Sequence, residues 1–239
     1  MVLTALAGLG MMMVGYRVIG ATAKNGDKSK PIPASRVAPI FVHGEGRGAF
    51  GCVAVNPPVF LCEEEARQVI TEEAKKSGIL LEPDARTVSK VPLPVTDRYA
   101  FVKRPSKQRT QSGSLQLDGT DRKRAVSYEF VSCADFDAWE HKDSGLVSTA
   151  CAVNLQQAAS VLVDGLKQAQ RRGSYAVFYD PMCRTKDVEY VEDESGQIDW
   201  KATDAVRAEI EAQAAEESRA LLREQVKDFI KWLKAEGVI

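Results

Sequence analysis

Two histidines and five cysteines carry most of the nucleophilic and proton-transfer capacity of this 239-residue chain. His43 and Cys52 flank a glycine-rich stretch and would face each other across a hairpin, where a Cys–His couple can generate a thiolate nucleophile. His141 has Cys133, Cys151 and Cys183 as alternative partners for the same chemistry. Neither histidine sits in the local signature of a catalytic family. Cys62 stands where a helix begins, a place that favours a thiolate, but Glu63, Glu64 and Glu65 oppose the charge and leave it a passive cap. Asp135, Asp137 and Glu140 come nearest to paired catalytic carboxylates, and on a short helix such acids are ordinary surface.

The string Gly46-Arg47-Gly48-Ala49-Phe50-Gly51-Cys52-Val53 resembles the glycine-rich loop of protein kinases, whose glycines let backbone amides approach nucleotide phosphates. The resemblance ends after those eight residues. No Ala-x-Lys strand, His-Arg-Asp loop or Asp-Phe-Gly follows, so kinase activity is not implied. Two readings of the glycines remain: a strand entry or bulge with positive φ, or an anion nest formed by Gly44, Gly46 and Gly48. The stretch from Asp193 to Asp199 resembles the middle of an EF-hand loop and offers Asp193, Ser195 and Asp199 as calcium ligands. Val191 and Ala202 occupy the outer ligand positions, so the other reading is a polar turn before a helix.

Hydrolase, zincin, nucleotide-loop and dinucleotide signatures are absent, as is any Cys-x-x-Cys. No cofactor is expected. The net charge of −1 conceals two opposed blocks. Arg98 to Arg124 holds eight basic residues against two acids, and Asp187 to Glu217 holds eleven acids against two basic residues. The basic block lies in no recognisable nucleic-acid module, so nucleic acid is not an expected partner.

The elements that must position these groups follow from periodicity and capping. Arg36–Val42 and Phe50–Val55 read as short strands, and Asn56-Pro57-Pro58 ends the second. Glu63–Ser77 has a helical apolar face, a Cys62/Glu65 capping box, a Glu72–Lys76 pair and Gly78 as its stop. Arg98–Val102 is the expected strand of a proline-broken region, and Lys103–Ser114 a basic loop. Leu115–Leu117 and Ala125–Val131 form a strand pair around Asp118-Gly119, and Ser132 with Asp135 caps a short helix bearing Phe136 and Trp139. Asn154 caps a helix closed at Gly173, and Tyr175–Tyr179 follows as a strand, an order that suggests a crossover unit. Thr203–Glu236 is helical throughout, with a sound apolar face only in its last third.

These elements predict an α+β fold, or α/β if the crossover strands are parallel: a mixed sheet of about five or six strands flanked by helices, with a long C-terminal helix. The apolar run Val2–Val14 followed by Ala21-Thr22-Ala23 reads as a signal peptide over residues 1–23, or an N-terminal anchor. A linker over 24–35 and a single domain over 36–239 follow. The expected function is a non-catalytic binding or scaffolding protein exported to the periplasm or cell exterior of a bacterium. A protein partner would dock on the C-terminal helix, with membrane contact confined to the N-terminal segment. The competing expectation is a hydrolase or transferase whose site is assembled from distant Cys, His and carboxylate residues.

Overall fold

The segments Val126–Val131 and Ser174–Tyr179 are buried at every position, a state strands reach in the middle of a sheet covered on both faces. The computed structural model describes residues 35–51, 56–84, 86–98, 110–140 and 150–239. In chain order the elements are β1 (Arg36–Val37), β2 (Arg47–Gly51), α1 (Glu63–Lys75), β3 (Glu82–Pro83), β4 (Thr87–Pro94), β5 (Thr110–Gln116) and β6 (Gly119–Asp121). There follow β7 (Val126–Val131), α2 (Cys133–Ala138), β8 (Ala150–Asn154), α3 (Leu155–Ala169), β9 (Ser174–Tyr179) and α4 (Trp200–Ala235). The central sheet has five strands in the order β1-β9-β7-β6-β3. The β1–β9 and β9–β7 pairs are parallel and the β7–β6 and β6–β3 pairs antiparallel, which makes the sheet mixed and the fold α+β. The chain passes from β7 to its parallel neighbour β9 through α2, β8 and α3.

Alternation along the central strands divides the core. Val131, Tyr175, Val177 and Tyr179 pack with α3, α2 and the β4–β5 pair. Val126, Tyr128, Phe130, Ala176 and Phe178 pack with α1 and the last third of α4. Phe178 meets Phe229 edge-on at 5.7 Å, and Trp232 stacks on Phe229 at 5.8 Å. On the opposite face, α3 approaches β4 so closely that a Cβ at Gly165 would lie 2.1 Å from the Pro92 carbonyl oxygen. Only glycine fits there.

Local signals act as their chemistry dictates. The Cys62 sulfur accepts the Glu65 N–H while the Glu65 carboxylate accepts the Cys62 N–H, and Ser132 with Asp135 repeats the exchange at α2. Asn154 caps α3 by accepting the Gln157 N–H.

Other expectations are corrected. Only Arg36–Val37 of the first predicted strand is extended into the ladder, because Pro39 has no N–H to give. It pairs with β9, and β2 pairs with β8, so the two do not form a hairpin with each other. The proline-broken region does hold a strand, β4, since its single neighbour β5 leaves an edge that tolerates Pro92 and Pro94. Its partner β5 occupies residues 110–116, where a loop was expected up to Ser114. Residues 99–102 of the expected strand lie outside the described residues. The tight turn joins β6 to β7 through residues 122–125, and Asp118 instead accepts the Phe130 N–H. Lys76 pairs with Glu73, and α3 closes on Gln170 in the left-handed region.

Of the two parallel neighbours of β9, β1 ends early, so Tyr179 finds its hydrogen bonds on that side from α4. The Tyr179 N–H donates to Gln225 Oε1 at 3.2 Å, and Gln225 Nε2 donates to the Tyr179 carbonyl at 3.0 Å and the His43 carbonyl at 3.2 Å. Gln225→Leu keeps most of the volume but orphans these groups. It should lower stability by about 2–4 kcal/mol in urea denaturation, and an unchanged midpoint would refute this bridging role.

Candidate functional site

Parallel strands bring their carboxyl ends to one edge, where α/β sheets usually bind ligands. Here that edge carries Ser132 and Cys133 after β7 and Asp180 to Cys183 after β9. The His43–Arg47 loop closes over it. A Cβ at Gly44 would lie 2.5 Å from Pro181 Cβ, and one at Gly46 2.5 Å from the Tyr179 ring. The Tyr179 hydroxyl donates to the Gly44 carbonyl at 2.9 Å, and the Gly46 N–H donates to the Pro181 carbonyl at 2.9 Å. The Gly46 amide that an anion nest would offer is therefore spent inside the protein. Gly44 and Gly46 have positive φ, and Gly48 lies in β2 against Pro58. Beside this loop an open groove of about 550 Å³ is lined by Arg47, Arg184, Glu45, Glu217 and Cys183 among others.

His43 does not line that groove. Its Nε2 lies 2.8 Å from Asp228 Oδ2 on α4, and Lys231 donates to the other Asp228 oxygen at 2.7 Å. These contacts hold the Asp228 carboxyl below its ordinary range, the Lys231 bond contributing most. Cys52 and His141 lie outside the described residues, as do residues 1–34, where the signal peptide and most of the linker were expected, and the basic stretch 103–109. Cys62, Cys133, Cys151 and Cys183 are free thiols. Burial pushes the Cys133 and Cys183 thiols up, away from thiolate character.

The acidic turn is occupied with its own backbone. Asp193 Oδ1 accepts the Ser195 N–H, the Ser195 hydroxyl and the Gln197 N–H, while Asp199 caps α4 by accepting the Ala202 N–H. Glu192 and Ile198 bridge across it. Among the described residues no group of three His, Cys, Asp or Glu side chains is disposed to hold a metal ion.

The sequence reading passed over Glu129, Asp118 and Asp180 and took Asp135 for ordinary surface. Glu129, in the middle of β7, is 4% exposed, and its Oε2 has no hydrogen-bond partner. Burial first, then the charges of Asp118, Asp135 and Glu63, push its carboxyl well up. Burial also raises Asp135, and it lifts Asp118 to about 6 against the pull of the Phe130 N–H. The Ser132 hydroxyl lies 3.1 Å from Glu63 Oε1 and 2.8 Å from Asp135 Oδ2. The Ser132 hydroxyl has one proton and so donates fully to only one of these oxygens at a time. Asp180 is fully buried and accepts the Leu61 and Met182 N–H groups, and burial still lifts it to about 6. The alternation Val-Ser-Tyr-Glu-Phe-Val reads as one wet face, so the sequence carried no signal that Glu129 is buried.

A second missed feature is exposed. Tyr190 and Trp200 meet edge-on at 6.0 Å just before and at the start of α4, and each is 60% exposed. No family model, curated protein or solved structure matches the chain.

Two outcomes follow from this geometry. An acid whose folded pKa is raised binds more protons folded than unfolded, so its stabilising contribution is complete below its unfolded pKa and lost as pH rises through the folded one. For Asp180 the window runs from 3.8 to about 6, and the shift is worth about 3 kcal/mol at most. Urea denaturation should therefore show lower stability at pH 7.5 than at pH 5, and Glu129→Gln should flatten that decline. Millimolar calcium should leave the melting temperature unchanged, because the Asp193 and Asp199 oxygens already hold backbone groups. A clear upward shift with calcium would reverse that assignment.

Proposed function

We propose that this chain is an exported, non-catalytic binding or scaffolding protein of the bacterial cell envelope, whose protein partner docks on the amino-terminal half of α4. One observation carries the reading. The helix runs unbroken for 36 residues, yet no residue from Asp204 to Gln213 is buried, whereas Leu222, Val226, Phe229, Ile230 and Leu233 pack fully into the core. A polar helix stretch extending beyond its core contacts suits a bridging or docking role. Export rests on the apolar run Val2–Val14 and the Ala21-Thr22-Ala23 cleavage pattern. Retention by that N-terminal segment as an anchor is the alternative placement. Among the described residues no helix is long and apolar enough to cross a membrane.

The His43–Asp228 contact supports the competing reading, a hydrolase or transferase, because a carboxylate can orient a histidine for proton transfer. That reading also needs a nucleophile on the histidine's other nitrogen, and no hydrogen bond there is seen among the described residues.

Site-specific photo-crosslinking in the cells that make the protein tests the docking face. A crosslinker at Glu209 should give a discrete adduct, and one at Lys75, exposed on α1, should not. Adducts at neither site, or equally at both, would remove the basis for docking on α4. Fractionation of the same cells tests export separately, which requires a chain shortened by about 23 residues outside the cytoplasm.

A further inference from the structure

Large apolar side chains rarely stand in water without a reason when they cluster. Among the described residues Val42, Leu80, Tyr190, Ile198 and Trp200 are the exposed ones, and the last three fall within eleven residues at the entry to α4. Tyr190 and Trp200 form two walls of a corner, with an interplanar angle of 82°. Their neighbours fix the corner: the Val191 N–H donates to Thr203 Oγ1 at 3.0 Å, and the Asp199 N–H donates to the Val191 carbonyl at 2.8 Å. The backbone on both sides of the corner is thus hydrogen-bonded, while both rings stay mostly exposed.

The surroundings select the occupant. Asp187, Glu189, Glu192, Asp193, Glu194, Asp199 and Asp204 stand between positions 187 and 204 against Lys201 alone. Of these acids, Asp204 is paired with Arg207, and no ion pair to the others is found among the described residues. Exposed Tyr, Trp and Ile would also suit a lipid interface or a nucleic-acid base, but the six carboxylates left without an ion pair repel phosphates. A cation is attracted twice over, by the aromatic rings and by the carboxylates of the same stretch of chain.

We propose that this corner receives a lysine or arginine side chain from a basic segment of the protein partner, with the surrounding acids pairing to that segment's other cations. The proposal rests on the reading of α4 as the docking surface and specifies what docks there. From Trp200 to Glu211 the helix advances about 16 Å, the reach of about five extended residues.

The test uses the full chain and fluorescein-labelled decapeptides rich in lysine, arginine or glutamate, followed by anisotropy, with phosphatidylcholine vesicles as a separate arm. The basic peptides should bind saturably and weaken as salt rises. Trp200→Ala should lower their affinity about tenfold with an unchanged melting temperature, and Leu80→Ala should leave it unchanged. Equal binding by wild type and Trp200→Ala, no preference over the glutamate peptide, or preferential binding to vesicles would each overturn the proposal. If the Glu209 crosslink forms but basic peptides do not bind, only the partner's chemistry is wrong. If both fail, the docking reading falls with it.

Discussion

The Gln225 carboxamide holds together parts of the chain that no ladder joins. It is 1% exposed, and it pairs with both backbone groups of Tyr179 while also donating to the His43 carbonyl. The need arises one strand away. Because β1 covers β9 only at Ser174 and Tyr175, the far end of β9 would leave buried backbone groups without partners. A helix side chain supplies what the missing strand residues cannot, and in doing so fixes α4 against the carboxyl edge of the sheet.

The same device recurs along α4. Ser218 accepts the Cys183 N–H and Thr203 accepts the Val191 N–H, so three buried polar side chains fasten the chain leaving β9 onto the helix. This explains why α4 remains helical through a half with almost no apolar face. Its buried positions between Thr203 and Ser218 are few and small, and hydrogen bonds to an irregular segment replace hydrophobic burial. Asp180 extends the seam to α1 by accepting the Leu61 N–H, at the cost of placing a carboxyl where water cannot solvate it.

Local chemistry was legible in the sequence and long-range pairing was not. The capping residues Cys62, Ser132 and Asn154, the strands β7 and β9 and the packed third of α4 all follow from nearest-neighbour patterns. The strands β4 and β5 escaped because prolines and small polar residues carry no period, and their pairing depends on having an open edge. His43 could be picked out as a rare residue type, but Asp228, 185 residues away, could not be attached to it. Glu129 was hidden for a related reason. In a strand with one wet face its position would be solvated, and only the arrangement of layers shows that both faces are covered.

Charge sorting leads to the last step. Three of the four described members of the basic block are balanced nearby, with Arg98 on Asp137, Arg122 on Asp84 and Arg124 on Asp121. Opposing the acidic block with the basic one would have lowered the energy of both, yet no ion pair joins them among the described residues. Asp187, Glu189, Glu192 and Glu194 at the entry to α4 form no ion pair among the described residues, and the backbone seam holds that segment. Asp193 and Asp199 serve the turn and the cap through one oxygen each, and the rest of the charge faces solvent. An exposed aromatic corner beside an unbalanced charge has the properties that the proposed recognition of a cation requires.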